Sequence, residues 1–446
     1  MYDSQVQWLG MIPKHWSIIQ SRRLFEQRRE RMRPGDEQLT ASQKYGVIPQ
    51  SKFMRLENQK VMQVFTGADI LKHVEPNDFV ISMRSFQGGL EWCGYSGCVS
   101  SAYVGITPIK HVQSAFFKYL FKSKPYIQAL QSTSNLVRDG QALRYQNFAQ
   151  VPLPLISEQE QTQIAKFLDY ETAKIDALIE KQEQLIALLK EKRQAVISHA
   201  VTKGLNPAAP MRDSGIEWLG QVPAHWKVSA LKHVASTKNG YGFSSADFVG
   251  EGVPFIRAGN IKRYSITSPK IFLPTEIVAR FERLRLKPGE VLISMVGSDP
   301  SVKESAVGQV GVVPSGLTGA VPNQNVVILR ESAGQMTKRF LFHSLCSSAY
   351  RNHLDVFSHK LANQSIISSS LIVAARVCIP PTAEQDSITQ YLDARLPKFD
   401  STIEAANTTI TLLQERRTAL ISAAVTGKID VRGWQPPQSQ SEKEAA

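Results

Sequence analysis

One half of this chain restates the other. Asp3-Ser4-Gln5-Val6-Gln7-Trp8-Leu9-Gly10-Met11-Ile12-Pro13-Lys14-His15-Trp16 returns as Asp213-Ser214-Gly215-Ile216-Glu217-Trp218-Leu219-Gly220-Gln221-Val222-Pro223-Ala224-His225-Trp226. At the far end of each half, Glu191-Lys192-Arg193-Gln194-Ala195-Val196-Ile197-Ser198-His199-Ala200-Val201-Thr202 is echoed by Glu415-Arg416-Arg417-Thr418-Ala419-Leu420-Ile421-Ser422-Ala423-Ala424-Val425-Thr426. The period is far longer than that of solenoid repeats, so a whole domain is duplicated. About 130 residues between the matching ends agree poorly, apart from one echo: Pro76 to Met83 against Pro288 to Met295. One scaffold with two different interiors is the fold problem this sequence poses.

The segment joining the interiors has a distinct pattern. Val151-Pro152-Leu153-Pro154 forces extended backbone. From Ser157 to about Lys203 there is then no Gly or Pro, and Ser157-Glu158-Gln159-Glu160 fits a capping box. Leu168, Ile175, Gln182, Leu189 and Val196 recur every seven residues, and Leu178, Ile179, Leu185 and Ile186 widen the stripe. Leu392, Phe399, Ala406, Leu413 and Leu420 hold the matching heptad positions in the second half, where Pro397 predicts a kink or a later helix start. Two such helices in one chain predict an intramolecular coiled coil with Gln182 and Ala406 as a weak layer. A helix of that length is roughly 65–70 Å long, a rod able to hold two globular units apart.

The interiors read as mixed and strand-rich, with short runs at Phe79–Ile81 and Tyr103–Ile106 and a helix expected over Ser114–Gln131. The predicted class is α+β: two globular α/β-mixed domains separated by two long helices, pairing as an antiparallel coiled coil with pseudo-two-fold duplication. The expected boundaries are 1–155 and 206–382 for the globular domains, 156–205 and 383–430 for the helices, and 431–446 for a disordered tail.

Composition narrows the function. The net charge is +13, which favours a polyanionic partner, since neutralised phosphates release counterions. No apolar run is long enough to span a bilayer, the N-terminus lacks a signal-peptide layout, and a cytoplasmic location with no membrane is expected. Cys93, Cys98, Cys346 and Cys378 are too scattered for a disulfide framework or a zinc site. There is no phosphate-binding Gly-x-x-x-x-Gly-Lys-Ser/Thr loop, and Gly240-Tyr241-Gly242 does not complete a dinucleotide fingerprint. No Asp-x-Lys or Glu-x-Lys nuclease tripeptide and no Asn/Asp-Pro-Pro-aromatic methyltransferase element occurs. The chain reads as a non-enzyme, with His15 and His225 as packing or capping groups.

Together these motifs resemble the specificity (S) subunit of type I restriction–modification systems, the HsdS family, over nearly the whole chain. The residues that carry the resemblance are Trp8-Leu9-Gly10 and Trp218-Leu219-Gly220, each followed by Pro-x-His-Trp. With them go Pro152 to Gln159, Pro380 to Gln385, His199 to Gly204 and Ala423 to Gly427. The resemblance implies two target recognition domains, each reading half of a split, asymmetric site in double-stranded DNA. It implies helices that space the readers and dock two methyltransferase (M) subunits, with restriction (R) subunits joining through the complex. S-adenosylmethionine, ATP and Mg are then expected on those partners, and no cofactor or metal on this chain.

Base-reading groups must be polar and able to reach base edges or phosphates. In the first unit the candidates are Arg84, Ser85, Gln87 and Gly88 after the echo strand, then Arg138, Arg144, Tyr145 and Asn147. In the second they are Arg257, Asn260 and Lys262, Ser298 and Lys303, then Lys360, Asn363 and Gln364. Two other functions fit parts of the pattern: a single-chain restriction–methylation enzyme, and a coiled-coil adaptor that reads no DNA.

Overall fold

The structure, a computed structural model, describes residues 1–446 apart from 60, 62–69, 83–84, 110–111, 135–142, 263, 298–306, 333, 358, 362–363 and 438–446. It is mixed α/β and divides into two compact units, Met1–Gln182 with Thr408–Ala446, and Glu183–Asn407. Each unit takes part of both long helices, Glu158–Lys203 and Thr382–Val425.

In the first unit a four-stranded antiparallel sheet runs in the order Phe25–Arg28, Val104–Pro108, Phe79–Ile81, Glu91–Trp92. Ser17–Gln20 pairs separately with Pro152–Leu155. The second unit repeats both features. Its sheet runs Ala235–Asn239, Val326–Glu331, Val291–Ser294, Val310–Val312, and Lys227–Ala230 pairs with Arg376–Ile379. The interiors that look unrelated in sequence therefore share a strand order.

The echo at Pro76 and Pro288 is a turn with a buried acid. Asn77 and Gly289 have φ of 74° and 80°, in the left-handed region that Asn and Gly tolerate best. Asp78 accepts from Glu75 N at 2.9 Å and Arg28 Nε at 2.6 Å. Glu290 accepts from Lys287 N at 2.9 Å and Arg330 Nε at 2.6 Å. In both units an arginine from another strand of the sheet, two strands away in the first unit and adjacent in the second, compensates a carboxylate that burial would otherwise penalise.

Each unit has a main core that includes its share of the long helices and a smaller satellite core. The main cores gather Phe25, Phe79, Phe117, Phe121 and Leu168 in the first unit, and Trp226, Phe340, Tyr350 and Leu392 in the second. The satellites, around Val47 and Val80 and around Phe255 and Ile328, pack insertions that differ between the units against the shared sheet. The first insertion is a hairpin, Leu39–Ser42 with Gly46–Pro49, leading to the helix Gln50–Glu57. The second is a mixed sheet, Phe272–Leu273, Val253–Ile256, Val321–Pro322, with a hairpin Ile261–Lys262/Ser265–Ile266.

The long helices run antiparallel within each unit. In the first, Leu168 shares a core with Ile421 and Val425 while Arg417 Nε donates to Asp176 Oδ1 at 2.9 Å. In the second, Ile197 and Val201 share a core with Leu392 and Leu396 while Arg193 Nε donates to Asp400 Oδ1 at 2.8 Å. Four features differ from the sequence expectation. The helix expected over Ser114–Gln131 is two, Ser114–Leu120 and Lys124–Ser132, because Pro125 suits only the first turn of a helix. The second long helix begins at Thr382 and continues through Pro397. Of the residues expected to widen the buried stripe, Ile186 is buried, but Leu178 and Leu185 are exposed. Val431 and Trp434, assigned to a free tail, pack on the first helix: Gln163 Nε2 donates to the Val431 carbonyl at 3.2 Å, and the Trp434 ring lies 5.3 Å from that of Phe167.

Candidate DNA-reading surfaces and the frame that carries them

The duplicated motifs are brackets between loop and helix. In the first, Asp3 Oδ1 accepts from Gln5 N, Ser4 Oγ from Val6 N, and Gly10 O from Ser4 N, at 2.9–3.1 Å. Asp213, Ser214 and Gly220 make the same three bonds at 3.0–3.1 Å. The buried indole of Trp16 then donates to Glu160 Oε1 at 3.0 Å, and His15 Nε2 meets Glu160 Oε2 at 2.9 Å. Trp226 and His225 meet Glu384 at 3.0 and 2.6 Å. The expected capping box is half realised: Ser157 Oγ accepts from Glu160 N at 3.2 Å, while the Glu160 carboxylate serves the Trp–His pair.

The neighbouring glutamines tie each long helix to a core helix. Gln161 Oε1 accepts from Gln113 N at 2.7 Å and its Nε2 donates to Ile156 O at 3.0 Å. Gln385 Oε1 accepts from Thr337 N at 2.8 Å and its Nε2 donates to the carbonyls of Gln335 and Pro380, both at 2.9 Å. Both glutamines are essentially inaccessible. The pairing shows that Glu160-Gln161, rather than Glu158-Gln159, corresponds to Glu384-Gln385. Each long helix ends at a left-handed glycine, Gly204 or Gly427. A Cβ on Gly204 would stand 3.1 Å from Trp226 Cζ2, and one on Gly427 3.0 Å from Trp16 Cη2. Each bracket thus grips the start of one helix and the end of the other.

The candidate reading residues sit outside these brackets and differ in what they can reach. Ser85 is buried and its hydroxyl accepts from Ser82 N at 2.9 Å. It opens a single turn, Ser85–Gly88, on which Gln87 is exposed and Gly88 half-buried. The turn is held from behind by Gln131 Nε2, which donates to Phe86 O at 2.6 Å. Asn147 takes Arg144 N at 2.9 Å and gives to Thr133 O at 2.9 Å, and Tyr145 Oη donates to Phe25 O at 2.9 Å. The polar atoms of Asn147 and Tyr145 are therefore engaged inside the unit, while Arg144 faces outward. In the second unit Asn260 Oδ1 likewise takes Arg257 N at 2.9 Å, leaving Arg257 and Lys262 exposed. Lys360 and Gln364 lie on paired strands, His359–Leu361 and Gln364–Ile366, which continue to Val296–Gly297. Arg84, Arg138, Ser298, Lys303 and Asn363 lie outside the described residues.

Sequence reasoning passed over one feature of the second unit. Tyr241 is 47% exposed although its ring packs 4.4 Å from Phe281 and 5.0 Å from Phe243. Gly240-Tyr241-Gly242, noted only as an incomplete fingerprint, was the available signal. Among the described residues no cluster of three His, Cys, Asp or Glu side chains is placed to hold a metal, and no helix is long and apolar enough to cross a membrane.

Residues 13–188 match the family model for the type I restriction modification DNA specificity domain. The chain is 26% identical to the EcoKI specificity subunit of Escherichia coli K12 over 234 residues, 50% of this chain and 48% of that protein. It is 22% identical to the EcoBI specificity subunit of Escherichia coli over 386 residues, 84% of this chain and 78% of that protein. Among solved structures, a chain from work on complex assembly and conformational transition of the type I R-M system superposes with a TM-score of 0.69 at 16% identity, covering 94% of this chain and all of that one. The HsdS subunit from Thermoanaerobacter tengcongensis gives 0.50 at 15% identity, covering 94% and 98%. With the duplicated brackets and the paired helices, these matches support an assignment to the HsdS family, the DNA specificity subunits of type I restriction–modification systems.

Proposed function

We propose that each unit reads one half of a two-part DNA sequence while the long helices dock the modification subunits, through which restriction subunits join. One observation carries this reading: two units share a bracket, a sheet order and a buried acid–arginine pair, yet differ in every insertion outside them. A frame built twice with different insertions suits one task performed on two sequences. The net charge of +13 supports a polyanionic target. Exposed leucines on the long helices, Leu178 and Leu412 in the first unit and Leu185 and Leu188 in the second, support a protein partner there. The residues best placed to read are Gln87 and Arg144 in the first unit, and Arg257, Lys262 and the strands bearing Lys360 and Gln364 in the second. S-adenosylmethionine, ATP and Mg then belong to the partners, and the complex works in the cytoplasm where its DNA is.

The test is to map methylated adenines in cells carrying the system, with and without this chain. A two-part site whose modification vanishes with the chain is the expected result. A single continuous site, or modification that persists, would refute the reading. Transfer of labelled methyl groups by the purified chain alone would favour the single-chain enzyme instead. DNA binding that ignores salt would favour the adaptor.

A further inference from the structure

We infer that Tyr241 and Gln324 are specificity-determining residues of the second unit, reading bases from the edge of its sheet. The inference rests on the DNA-reading function proposed above.

The loop that carries Tyr241 is built to present it. The strand Ala235–Asn239 ends beside the turn that leads into Val326–Glu331, and the chain stays pinned to that turn as it leaves the sheet. Gly240 N donates to Val326 O at 3.0 Å and Tyr241 N to Pro322 O at 3.1 Å. A Cβ on Gly240 would stand 2.6 Å from the Asn323 carbonyl carbon, so only glycine lets the two segments approach this closely. Behind Tyr241, Phe243 and Phe281 support the ring, and Phe243 packs in turn on Phe255 at 5.6 Å. A tyrosine held this firmly yet half exposed is a rigid amphipathic contact with little rotamer entropy left to lose.

The facing turn supplies the hydrogen-bonding partner. Gln324 is exposed, and a Cβ on Gly242 would lie 3.4 Å from its side-chain amide. Gln324 therefore lies against the short segment that carries Tyr241. Gln can pair in bidentate fashion with the N6 and N7 edge of adenine, and an aromatic ring beside it can contact a thymine methyl or a sugar.

The same edge joins the strands that carry Lys360 and Gln364. Met295 N donates to Asn325 O at 2.8 Å, Ile367 N to Met295 O at 2.9 Å, and Ser369 Oγ to Asn239 Oδ1 at 2.7 Å. Four segments distant in sequence thus meet where the four-stranded sheet ends. Arg280 and Glu282, on either side of Phe281, bring charged groups of both signs next to the aromatic support. A polar and aromatic patch of this kind suits a nucleic-acid edge better than an apolar protein face.

The test selects duplexes from a randomised DNA library with the full chain assembled with its own modification subunits, comparing wild type with Tyr241→Ala and Gln324→Ala. The expected result is loss of preference at one or two positions of a single half-site. Affinity for the wild-type motif should fall about tenfold, and the salt slope should stay unchanged because no phosphate contact is removed. Unchanged preferences with affinity within twofold would overturn the inference, as would a uniform loss at both half-sites. Unaltered DNA selection with weakened retention of the modification subunits would make the patch a protein-docking face and also overturn it. If Tyr241→Ala lowers the melting temperature, Gln324→Ala and Gln324→Glu decide by the same criteria, since Gln324 is exposed and its replacement leaves the aromatic packing in place. A wild-type complex that selects no sequence counts against DNA reading as a whole; a wild type that selects a motif which both variants retain counts against these two residues alone.

Discussion

Replacing Gln385 by Ala isolates the bond set that ties the second long helix to its unit. The side chain is inaccessible and makes three hydrogen bonds: from Thr337 N at 2.8 Å, and to Gln335 O and Pro380 O at 2.9 Å. Gln335 is exposed and Thr337 half-buried, so water can replace the glutamine at both. Those two bonds are worth about 1 kcal/mol each. Pro380 is buried, and its carbonyl would be left dry at a cost of about 1–3 kcal/mol. The total is about 3–5 kcal/mol, at least a hundredfold in a local opening equilibrium at about 1.4 kcal/mol per decade. Global melting is the wrong assay for a chain of two units, because one transition cannot be assumed. Hydrogen exchange followed by mass spectrometry reads the site directly. Amides of the helix Lys338–Leu345 should exchange about a hundredfold faster in Gln385→Ala, while the matching first-unit helix Ser114–Leu120, held by Gln161, stays as in wild type. Acceleration under fivefold, or equal acceleration in both helices, would refute the assignment of Gln385 as a local tie.

Gly204→Ala should destabilise the second unit by about 2 kcal/mol, seen as faster exchange at the end of the first long helix. It combines a φ of +77° with a Cβ placed 3.1 Å from Trp226. Burial pushes the Glu91 carboxyl up to about 7, with Lys122 opposing. The folded first unit then holds a proton that the unfolded chain releases near pH 4.5, so this contribution is present below about pH 4.5 and is lost as pH rises through 7. Urea titrations read by a first-unit probe should show that decline, and Glu91→Gln should flatten it. The Arg193–Asp400 pair is mostly exposed on its Asp side, so Asp400→Asn should cost under about 1 kcal/mol, and a larger loss of exchange protection would contradict this.

The long helices were legible because their signals are local: Ser157 caps the first and neither Gly nor Pro interrupts it. Which residues they bury was less legible. Ile175 and Ile186 are buried while Leu178, Leu185 and Leu188 are exposed, because a single partner helix covers only one stripe of an apolar surface wider than that. The common sheet order was not legible at all. It depends on pairings such as Gly105 with both Arg28 and Val80, made between short strands far apart in sequence. Among the candidate readers, Ser85, Asn147 and Asn260 resemble base-contacting residues in type, yet each bonds the backbone of its own loop. Short polar side chains in turns find the nearby backbone first. Tyr241 was missed because its exposure is decided by Phe243, Phe281 and the glycines that hold it, none of which marks it in sequence.

The brackets also locate where the two interiors differ in length. Gln161 and Gln385 each reach back 48 residues to the amide they hold. Trp16 and Trp226 lie 144 and 158 residues before their glutamates. The 14-residue difference therefore falls wholly between the Trp and the start of the core helix, in 17–112 and 227–336. Every frame bond described at either edge of those stretches involves a partner present in both units, so the stretches should be exchangeable. Putting 227–336 in place of 17–112 keeps Trp16 with Glu160, and it keeps Gln161 with the backbone amide at Gln113, a bond that does not depend on side-chain identity. The grafted chain should fold and direct methylation to sites whose first half carries the bases read by Tyr241, Arg257, Lys262 and Gln324, and no longer those read by Gln87. Sites that still contain the first half-sequence would show that its readers lie outside 17–112, with Arg144 the leading alternative.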